Sequence, residues 1–538
     1  MTRPTPTDDR STASTGTSRR TFLKTAAGGA ALASGLAAGT LGTASAGIPT
    51  PWLHVEENTL ADPSDSTVKL RGLNIADPKR LNVTAPARGK DASQVIDLVT
   101  DPDRGWHPRV VRVPCQPVDI GENTPGHIDG APEPPAYTES DLDDFLETHL
   151  DPVIDQLEDA GVYAIVDMHR HWKPLEWADG VPTAQDDPKD MINQDLHEEV
   201  MMFWETVGPR YADRSHVIYE IYNEPTEPGM WADVLDRDWP KYVWDAWQAM
   251  AQPWVDTIRA DADNHIIVGN PGWSTSPEGA LYEPFDGGNL SYAYHIYPGH
   301  NASMDQDWDE VSTNAQGTAG DGTPVYEEFP LFVTEFGWDN TIVSNYLRGS
   351  TTDFGEPFME FLESEPAINW TAWVADPVWL PKMFELGDWA GEDGFEDSVG
   401  HPYEDEIPEL CEDRPCEWKL MSGENMGAFI KEALADRKDD QIPGEDGETS
   451  TEESSTSTET TTSESERETP AWPEGATDPN DDGLYEDLSG NGEIDFPDVN
   501  ALFQNSDASE MDDNAEFYDF EPGDGITLQD VMALFQMV

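Results

Sequence analysis

The stretch VIYEIYNEP at residues 217–225 contains the pattern that decides the fold. Its first six positions are mostly β-branched or aromatic residues, which is typical of a buried strand. Polar side chains, Asn223 and Glu224, follow this apolar run directly, and Pro225 comes next. The pattern therefore predicts a buried strand that carries polar groups at its carboxyl end.

Similar β-rich apolar runs recur along the chain and mostly alternate with stretches of helical periodicity. We predict strands at 68–76, 109–116, 163–170, 217–225, 265–273, 290–298, 331–338 and 368–376. We predict helices at 140–160, 194–211, 239–260, 354–363 and 422–435. Eight strands alternating with helices predict an α/β fold with parallel pairing, the (β/α)8 TIM barrel. A Rossmann-type sheet is disfavoured because no G-x-G-x-x-G motif follows any of the strands.

The 538 residues exceed what one core needs, and their composition changes along the chain. Residues 1–46 resemble a twin-arginine export signal, with Arg19 and Arg20 before an Ala/Gly-rich run and an A-x-A pattern at 44–46. We assign 47–437 to the barrel and 438–472 to a disordered linker rich in Thr, Ser and Glu. The remaining 473–538 form a second, small module. The sequence thus predicts an exported, extracellular protein, with cell-surface association as an open alternative.

The charge balance limits the partners of the chain. Asp and Glu number 108 against 30 Lys and Arg, a formal net charge of −78. Nucleic acid and anionic membrane surfaces would be repelled, so we expect neither as a partner once the signal is removed. At molar salt the Debye length falls to about 3 Å, which screens the self-repulsion. We interpret the composition as adaptation to high salt.

The three cysteines exclude a protein built on a disulfide scaffold. Cys411 and Cys416 lie close together in an acidic loop and can form one bridge outside the cell. Cys115 lies in an apolar run and is expected to be a small buried residue. The surrounding stretch 379–419 is either a rim loop that shapes a cleft or an insertion related to salt.

In a TIM barrel the reactive groups lie at the carboxyl ends of the strands. A single polar residue there is often only a helix cap. Here six strands carry polar or aromatic groups to one rim, which favours a reaction site. These residues are Arg112, His169, Asn223, Glu224, His295, Tyr297, Glu335 and Trp373.

Two of these residues, Glu224 and Glu335, suit the hydrolysis of a glycosidic bond. That reaction needs one carboxyl group to protonate the leaving oxygen and another to attack the sugar or activate water. Arg112 and Tyr297 are suitable partners to keep Glu335 ionised, and a less polar setting would keep Glu224 protonated. Asn223 can reach the 2-hydroxyl of the sugar, while His169 and His295 would complete the hydrogen-bond network.

The ordered series of strand-end residues resembles glycoside hydrolase family 5 over roughly 47–435. The resemblance implies that Glu224 is the acid/base and Glu335 the nucleophile, with Arg112, His169, Asn223, His295, Tyr297 and Trp373 as supporting residues. It also implies catalysis without a cofactor and with retention of configuration, for which we expect the two carboxyl groups about 5–5.5 Å apart.

The resemblance favours an endo-β-1,4-glucanase, a cellulase acting on a polysaccharide. A β-1,4-mannanase or another β-glycanase is the alternative, because loops choose the sugar on this fold. A non-catalytic carbohydrate-binding surface protein and an adhesion protein are alternatives of another class. The presence of both glutamates with their supporting residues argues against a protein that has lost activity.

Several loop tryptophans are candidate platforms for sugar rings, although ordinary packing is the commoner role of any one of them. Trp273 and Trp338, at strand ends, are the best candidates. The full set is Trp172, Trp177, Trp231, Trp273, Trp338 and Trp379.

The C-terminal module carries two copies of a calcium-loop pattern followed by the related segments VNALFQ and VMALFQ. In the first loop, oxygen ligands stand at positions 1, 3, 5 and 12 around a turn at Gly492, as in an EF-hand. The second loop is one residue shorter, and an acidic surface without metal is the alternative for both. The duplication resembles a dockerin, which implies Ca²⁺ binding and a cohesin-like partner. The candidate ligands are Asp487, Ser489, Asn491, Asp498, Asp519, Glu521, Asp524 and Asp530.

Overall fold

The computed structural model describes residues 50–121, 132–175, 188–226, 239–305, 308, 323–344, 346–391, 407, 409–443 and 485. The chain divides into two units, 1–449 and 450–538, and the barrel lies in the first. The predicted export signal, most of the linker and the whole set of candidate calcium ligands lie outside the described residues. Trp177 and Trp231 lie outside them as well.

A closed barrel of eight parallel strands forms the centre of this unit. In chain order the strands are β1 Arg71–Asn74, β2 Val110–Cys115, β3 Tyr163–Met168, β4 Val217–Glu220, β5 Ile266–Val268, β6 Leu290–Ile296, β7 Leu331–Phe336 and β8 Ile368–Ala372. Each strand pairs with its neighbours in sequence, and β8 pairs with β1 to close the ring. The predicted TIM barrel and its eight strands are confirmed. Every strand ends before its predicted end.

Helices surround the barrel. They are α1 Pro78–Arg88, α2 Ala92–Thr100, α3 Pro117–Ile120, α4 Glu139–Phe145, α5 Asp151–Ala160, α6 Gln194–Arg210, α7 Trp239–Arg259, α8 Asn301–Asp305, α9 Val325–Glu328, α10 Glu356–Ser364 and α11 Met426–Asp436. Single π-helical segments precede α5 at Leu146–Leu150 and α10 at Thr351–Gly355, and 3₁₀ segments occupy Pro102–Arg104, Pro188–Met191, Pro277–Leu281 and Asp388–Ala390. Within the described ranges, every helix is too short or too polar to span a bilayer.

All the predicted helices are present, but the sequence analysis missed α1 and α2 and the short helices α3, α8 and α9. Helix α1 contains Pro86, which interrupts the usual helical signal. Helix α2 did carry a signal, because Asp91 and Gln94 form a capping box at its start.

A small antiparallel sheet closes the floor of the barrel. Its strands are His54–Glu56, Thr59–Ala61 and Thr67–Val68. Leu60 and Val68 join the inward-facing residues Val110, Ile218 and Phe332 in one buried apolar cluster at the amino-terminal end of the strands.

A larger apolar cluster fills the space between the strands and the helices. Many tryptophans of the chain belong to this layer, so packing explains much of their abundance. The fully buried ones are Trp106, Trp204, Trp244, Trp247, Trp254, Trp338 and Trp370.

The expected disulfide between Cys411 and Cys416 is present, with its Cα atoms 6.2 Å apart. Cys115 is buried and outside any disulfide, as expected. The disulfide loop covers the carboxyl end of α1, where the Cys416 N–H donates to the Gly89 carbonyl at 2.9 Å. The Trp418 indole N–H donates to the Arg88 carbonyl at 2.7 Å. The disulfide part of 379–419 thus caps α1. Its first residues, Trp379 and Leu380, lie instead at a cleft at the carboxyl ends of the strands.

Candidate active site

A cleft of about 940 Å³ opens at the carboxyl ends of the strands. Seven of the predicted site residues line it, namely His169, Glu224, Trp273, His295, Tyr297, Glu335 and Trp373. Arg112 and Asn223 are fully buried beneath them. The structure therefore brings the predicted strand-end residues into one place, with Trp338 as the exception discussed below.

Glu335, at the end of β7, receives both of its predicted partners. Arg112 Nη1 donates to its Oε1 at 2.7 Å, and the Tyr297 hydroxyl donates to its Oε2 at 2.8 Å. Only 4% of Glu335 is exposed. Burial, followed by the charges of Glu335 and Glu224, raises the pKa of Tyr297, so the phenol keeps its proton and remains a donor.

Arg112 lies at the centre of a buried ionic cluster. Its guanidinium lies 2.5 Å from Glu220 Oε2 and 3.0 Å from Asp167 Oδ2, in addition to Glu335. Burial lowers the pKa of Arg112, but the nearby carboxylates outweigh burial and the net shift is upward. The sequence analysis did not select Asp167 or Glu220. A signal was present, because each is an acidic residue inside an otherwise apolar strand.

Asn223 is fixed from below, since Arg112 Nη2 donates to its Oδ1 at 2.7 Å. We expected its amide to reach the 2-hydroxyl of a sugar. The side chain is instead fully buried, and its amide nitrogen lies 3.0 Å from His171 Nε2.

Glu224 is held by two imidazoles. His295 Nδ1 lies 2.9 Å from Oε1, and His171 Nε2 lies 3.2 Å from Oε2. Burial raises the pKa of Glu224, but the hydrogen bonds from His171 and His295 outweigh it and bring the pKa below its ordinary value. The setting of Glu224 is therefore more polar than we expected, because two imidazoles contact its carboxyl group. His171 was also missed, although it stands two residues after His169.

His295 lies between the two glutamates. Its Nδ1 is also 3.7 Å from Glu335 Oε2. One oxygen of each glutamate and one nitrogen of His295 all lie within 4.8 Å of one another. Burial lowers the pKa of His295, but Glu335 and Glu224 raise it above its ordinary value. Two carboxyl groups so close in one cleft fit direct attack on a sugar carbon better than the separation of roughly 6.5–9.5 Å that leaves room for an attacking water.

With this geometry established, comparison with known families decides the assignment. The family model for cellulases of glycosyl hydrolase family 5 matches residues 62–377, more than half of the chain. The chain belongs to glycosyl hydrolase family 5. The matched range contains all eight barrel strands and both glutamates, and catalysis in this family needs no cofactor.

Curated relatives of this family 5 chain include an endoglucanase of Halalkalibacter akibai, 28% identical over 236 residues, which are 43% of this chain and 27% of that protein. A cellulase of a Thermoanaerobacterium species is 30% identical over 186 residues, which are 34% of this chain and 44% of that protein. The chain thus spans less than half the length of either relative. Among solved structures, a β-glucanase of Saccharophagus degradans has 18% identity and a TM-score of 0.48, covering 73% of this chain and 95% of that one.

Aromatic rings form one wall of the cleft in this family 5 chain. His169 stacks on Trp373 with 5.3 Å between the ring centroids. Trp379 also stacks on Trp373, with 5.5 Å between their ring centroids. The His169 ring is oriented by Asp167, whose Oδ2 lies 2.6 Å from Nδ1. Burial lowers the pKa of His169, which favours the neutral imidazole. Trp379 and its neighbour Leu380 both line the cleft.

Trp273 also lines the cleft, and its backbone is joined to the residue after Glu224. Its backbone N–H donates to the carbonyl of Pro225 at 3.0 Å. Its φ of +61° lies in the left-handed region that a bulky residue rarely adopts. Such strained positions cluster at functional sites, where the surrounding structure holds them. Trp273 thus lies in the cleft, and its role as a sugar platform stays a prediction.

The prediction for Trp338 is wrong. Its side chain is fully buried in the helix layer and packs against Phe354 and Phe429. Its indole N–H is within hydrogen-bond distance of Thr351 Oγ1 at 3.3 Å and of the Glu424 carbonyl at 3.2 Å. Trp172 likewise lies outside the cleft, packed against the guanidinium of Arg170 at 5.2 Å.

Proposed function

We propose that this chain is a retaining endo-acting glycoside hydrolase that cleaves a β-1,4-glucan. The observation that carries the proposal is the close approach of Glu224 and Glu335 in one open cleft, with donors on both carboxyl groups. The names of the relatives, endoglucanase and cellulase, support a β-glucan as the substrate.

In the first step, Glu335 attacks the anomeric carbon while Glu224 transfers a proton to the leaving oxygen. A covalent glycosyl–enzyme forms as the glycosidic bond breaks. In the second step, Glu224 takes a proton from water as that water attacks the same carbon and releases Glu335. The double inversion leaves the anomeric configuration unchanged.

The neighbours of Glu335 support its role as nucleophile. Arg112 and Tyr297 each donate to a different oxygen of the carboxylate, which orients it toward the cleft. Preorganised donors of this kind cost no rearrangement during the reaction.

The aromatic surfaces of the cleft suit a polymer. Trp273, Tyr346, Trp373 and Trp379 all line the cleft that holds the two glutamates. Ring faces stack on the apolar face of a pyranose, so these surfaces can bind several sugar units of one polymer.

We further propose that the protein is exported by the twin-arginine route and is adapted to high salt. The support is the N-terminal arginine pair, the net charge of −78 and the disulfide, which is characteristic of an oxidising compartment. The duplicated C-terminal pattern leads us to propose Ca²⁺ binding there and a cohesin-like partner.

A substrate panel tests the activity. Carboxymethylcellulose, glucomannan and xylan are incubated with the full chain in about 2–4 M salt, chosen to screen the charge, and product lengths are followed with time. We expect a mixture of lengths from carboxymethylcellulose. Preference for glucomannan would indicate a mannanase, and a single short product from the start would contradict endo action. Glu335→Gln should abolish turnover of every substrate while the protein remains folded.

Calorimetry on the full chain after removal of metal by EDTA tests the calcium proposal. Added Ca²⁺ should produce binding heat, and Asp487→Ala should remove part of it. No heat with the unchanged chain would contradict Ca²⁺ binding.

A further inference from the structure

His171 is fixed beside Glu224 by the backbone. The two-residue strand His171–Trp172 pairs in parallel with Glu224–Pro225, beyond the ends of β3 and β4. In this pairing His171 is the direct partner of Glu224, and the Glu224 N–H donates to the Arg170 carbonyl at 3.2 Å. The register therefore places the imidazole next to the carboxyl group and at the wall of the cleft.

The chain of hydrogen bonds beneath the cleft constrains the His171 ring. A guanidinium can only donate, so the Arg112 bond at 2.7 Å identifies the Asn223 atom that faces it as the carbonyl oxygen. The amide nitrogen of Asn223 consequently faces His171 Nε2, at 3.0 Å. The same Nε2 lies 3.2 Å from Glu224 Oε2. Nε2 of His171 thus faces two groups. The Asn223 amide nitrogen always donates, whereas Oε2 of Glu224 gains and loses a proton during catalysis.

These three groups have two arrangements of the proton. When Glu224 is ionised, a proton on Nε2 can be donated to Oε2 as a charge-assisted hydrogen bond, and the Asn223 amide then has no acceptor on His171. When Glu224 carries the proton, the lone pair of Nε2 can accept from Glu224 and from the Asn223 amide. Both arrangements contain one proton between Nε2 and Oε2.

We propose that His171 is a positioning residue that shares one proton with Glu224 and thereby sets the pH range in which Glu224 can alternate between acid and base. This proposal rests on the proposed glycosidase function. In the first step, the proton passes from Nε2 to Oε2 and then to the leaving oxygen, which leaves neutral His171 and ionised Glu224. In the second step, Glu224 takes the proton of the attacking water and can return it to Nε2, so the proton count is restored after each cycle.

The contact of His171 with Glu224 distinguishes it from His295. His295 lies between both glutamates, at 2.9 and 3.7 Å, so its charge responds to each of them. Of the two glutamates, His171 contacts Glu224. Other titratable and charged groups also face the His171–Glu224 pair, and they come from four strands and the segments that follow them. They are Arg112 of β2; Asp167 and His169 of β3 and its end; His295, Tyr297 and His300 of β6 and the segment after it; and Glu335 and Tyr346 of β7 and the segment after it.

The test compares His171→Phe, His171→Gln and the unchanged full chain in pH profiles of kcat and kcat/KM on a β-1,4-glucan. Phe removes one of the two sites for the shared proton, so the alkaline limb, at which the pair loses that proton, should move to lower pH by about one pH unit, while the acidic limb stays in place. Gln can still donate toward Oε2, which favours ionised Glu224, but it cannot carry the shared proton, so its alkaline limb should lie at or below that of His171→Phe. His149→Phe is the matched control, because His149 lies outside the cleft beside Asn82.

A second substrate separates this role from a structural one. A dinitrophenyl β-cellobioside has a leaving group that needs no protonation, so kcat/KM of His171→Phe should stay within about twofold of the unchanged chain. An equal loss on both substrates, an unshifted alkaline limb or an alkaline limb at higher pH in both variants would overturn the proposal. If His171→Phe does not fold, the pH limbs of His171→Gln decide the question. Absence of any β-glycan hydrolysis by the unchanged chain would contradict the proposed function itself.

Discussion

The same strands supply both ends of the barrel. Its floor, at the amino-terminal ends of the strands, is lined by apolar side chains, whereas its mouth, at their carboxyl ends, is lined by charged and polar ones. On β2, Val110 faces the floor and Arg112, two residues later, faces the mouth. On β4, Ile218 likewise faces the floor and Glu220 faces the mouth. Because side chains alternate along a strand with a period of two, both members of each pair point into the barrel, one layer apart.

The two layers contribute differently to the protein. The floor removes apolar surface from water, which stabilises the fold without requiring particular partners. The mouth buries Arg112 with Asp167, Glu220 and Glu335, and buried ion pairs contribute little net stability because desolvation is costly. The difference indicates that the floor holds the barrel closed and the mouth is organised for chemistry.

The largest effect is expected from Arg112→Met. The change leaves three buried carboxylates without their cation, which should lower the free energy of unfolding by about 3–5 kcal/mol. It also removes a donor from Glu335, so kcat should fall by about 10²–10³-fold. Urea unfolding and initial rates in the same molar salt measure the two effects. Full activity in this variant would contradict the role of the ionic cluster.

Phe332→Ala tests the floor. Removing this fully buried ring should lower the free energy of unfolding by about 3–5 kcal/mol through lost burial and a cavity. Kinetics measured well below the unfolding temperature should remain within about twofold in kcat and KM, because the ring belongs to the floor cluster. A loss of kcat in the folded protein would show that the two layers are coupled.

The pH dependence of stability distinguishes the layers further. Burial, partly offset by Arg112, raises the pKa of Asp167 to about 7 from 3.8. The folded state therefore holds this proton more tightly than the unfolded state, and its contribution to stability is lost as pH rises through 7. Between pH 5 and 8 the unchanged chain should lose up to about 2–3 kcal/mol more than Asp167→Asn, which cannot ionise. Parallel stability curves from urea unfolding would contradict this expectation.

The smallest effect is expected from Arg214→Met on the outer surface. Arg214 makes ion pairs with Asp155 and Glu158, and about a third of its side chain is exposed. The change should cost less than about 1 kcal/mol in unfolding free energy and leave kcat unchanged. It is the matched control for Arg112→Met, since the same substitution is made outside the barrel. A cost equal to that at Arg112 would remove the distinction between buried and surface charges.

Strand-end residues were predictable to different degrees. Glu224, Glu335 and Arg112 were identified because each lies at the end of, or within, an apolar run that ends in polar groups. Trp273 and Trp338 show the same local signal, yet the first lines the cleft and the second packs among the helices. Beyond the end of a strand the alternation of side chains is lost, so the sequence alone does not give their direction.

The sequence by itself determined the eight strands, their alternation with helices and the two glutamates, because hydrophobic periodicity and the polar residue after a strand are properties of neighbouring positions. Only the tertiary structure decided that Asp167 and Glu220 surround Arg112, that His171 contacts Glu224 and that Glu224 has a lowered pKa. Each of these depends on distances between different strands and on burial in the closed barrel. Electrostatic interactions depend on those distances and on exclusion of water, neither of which is encoded at a single position.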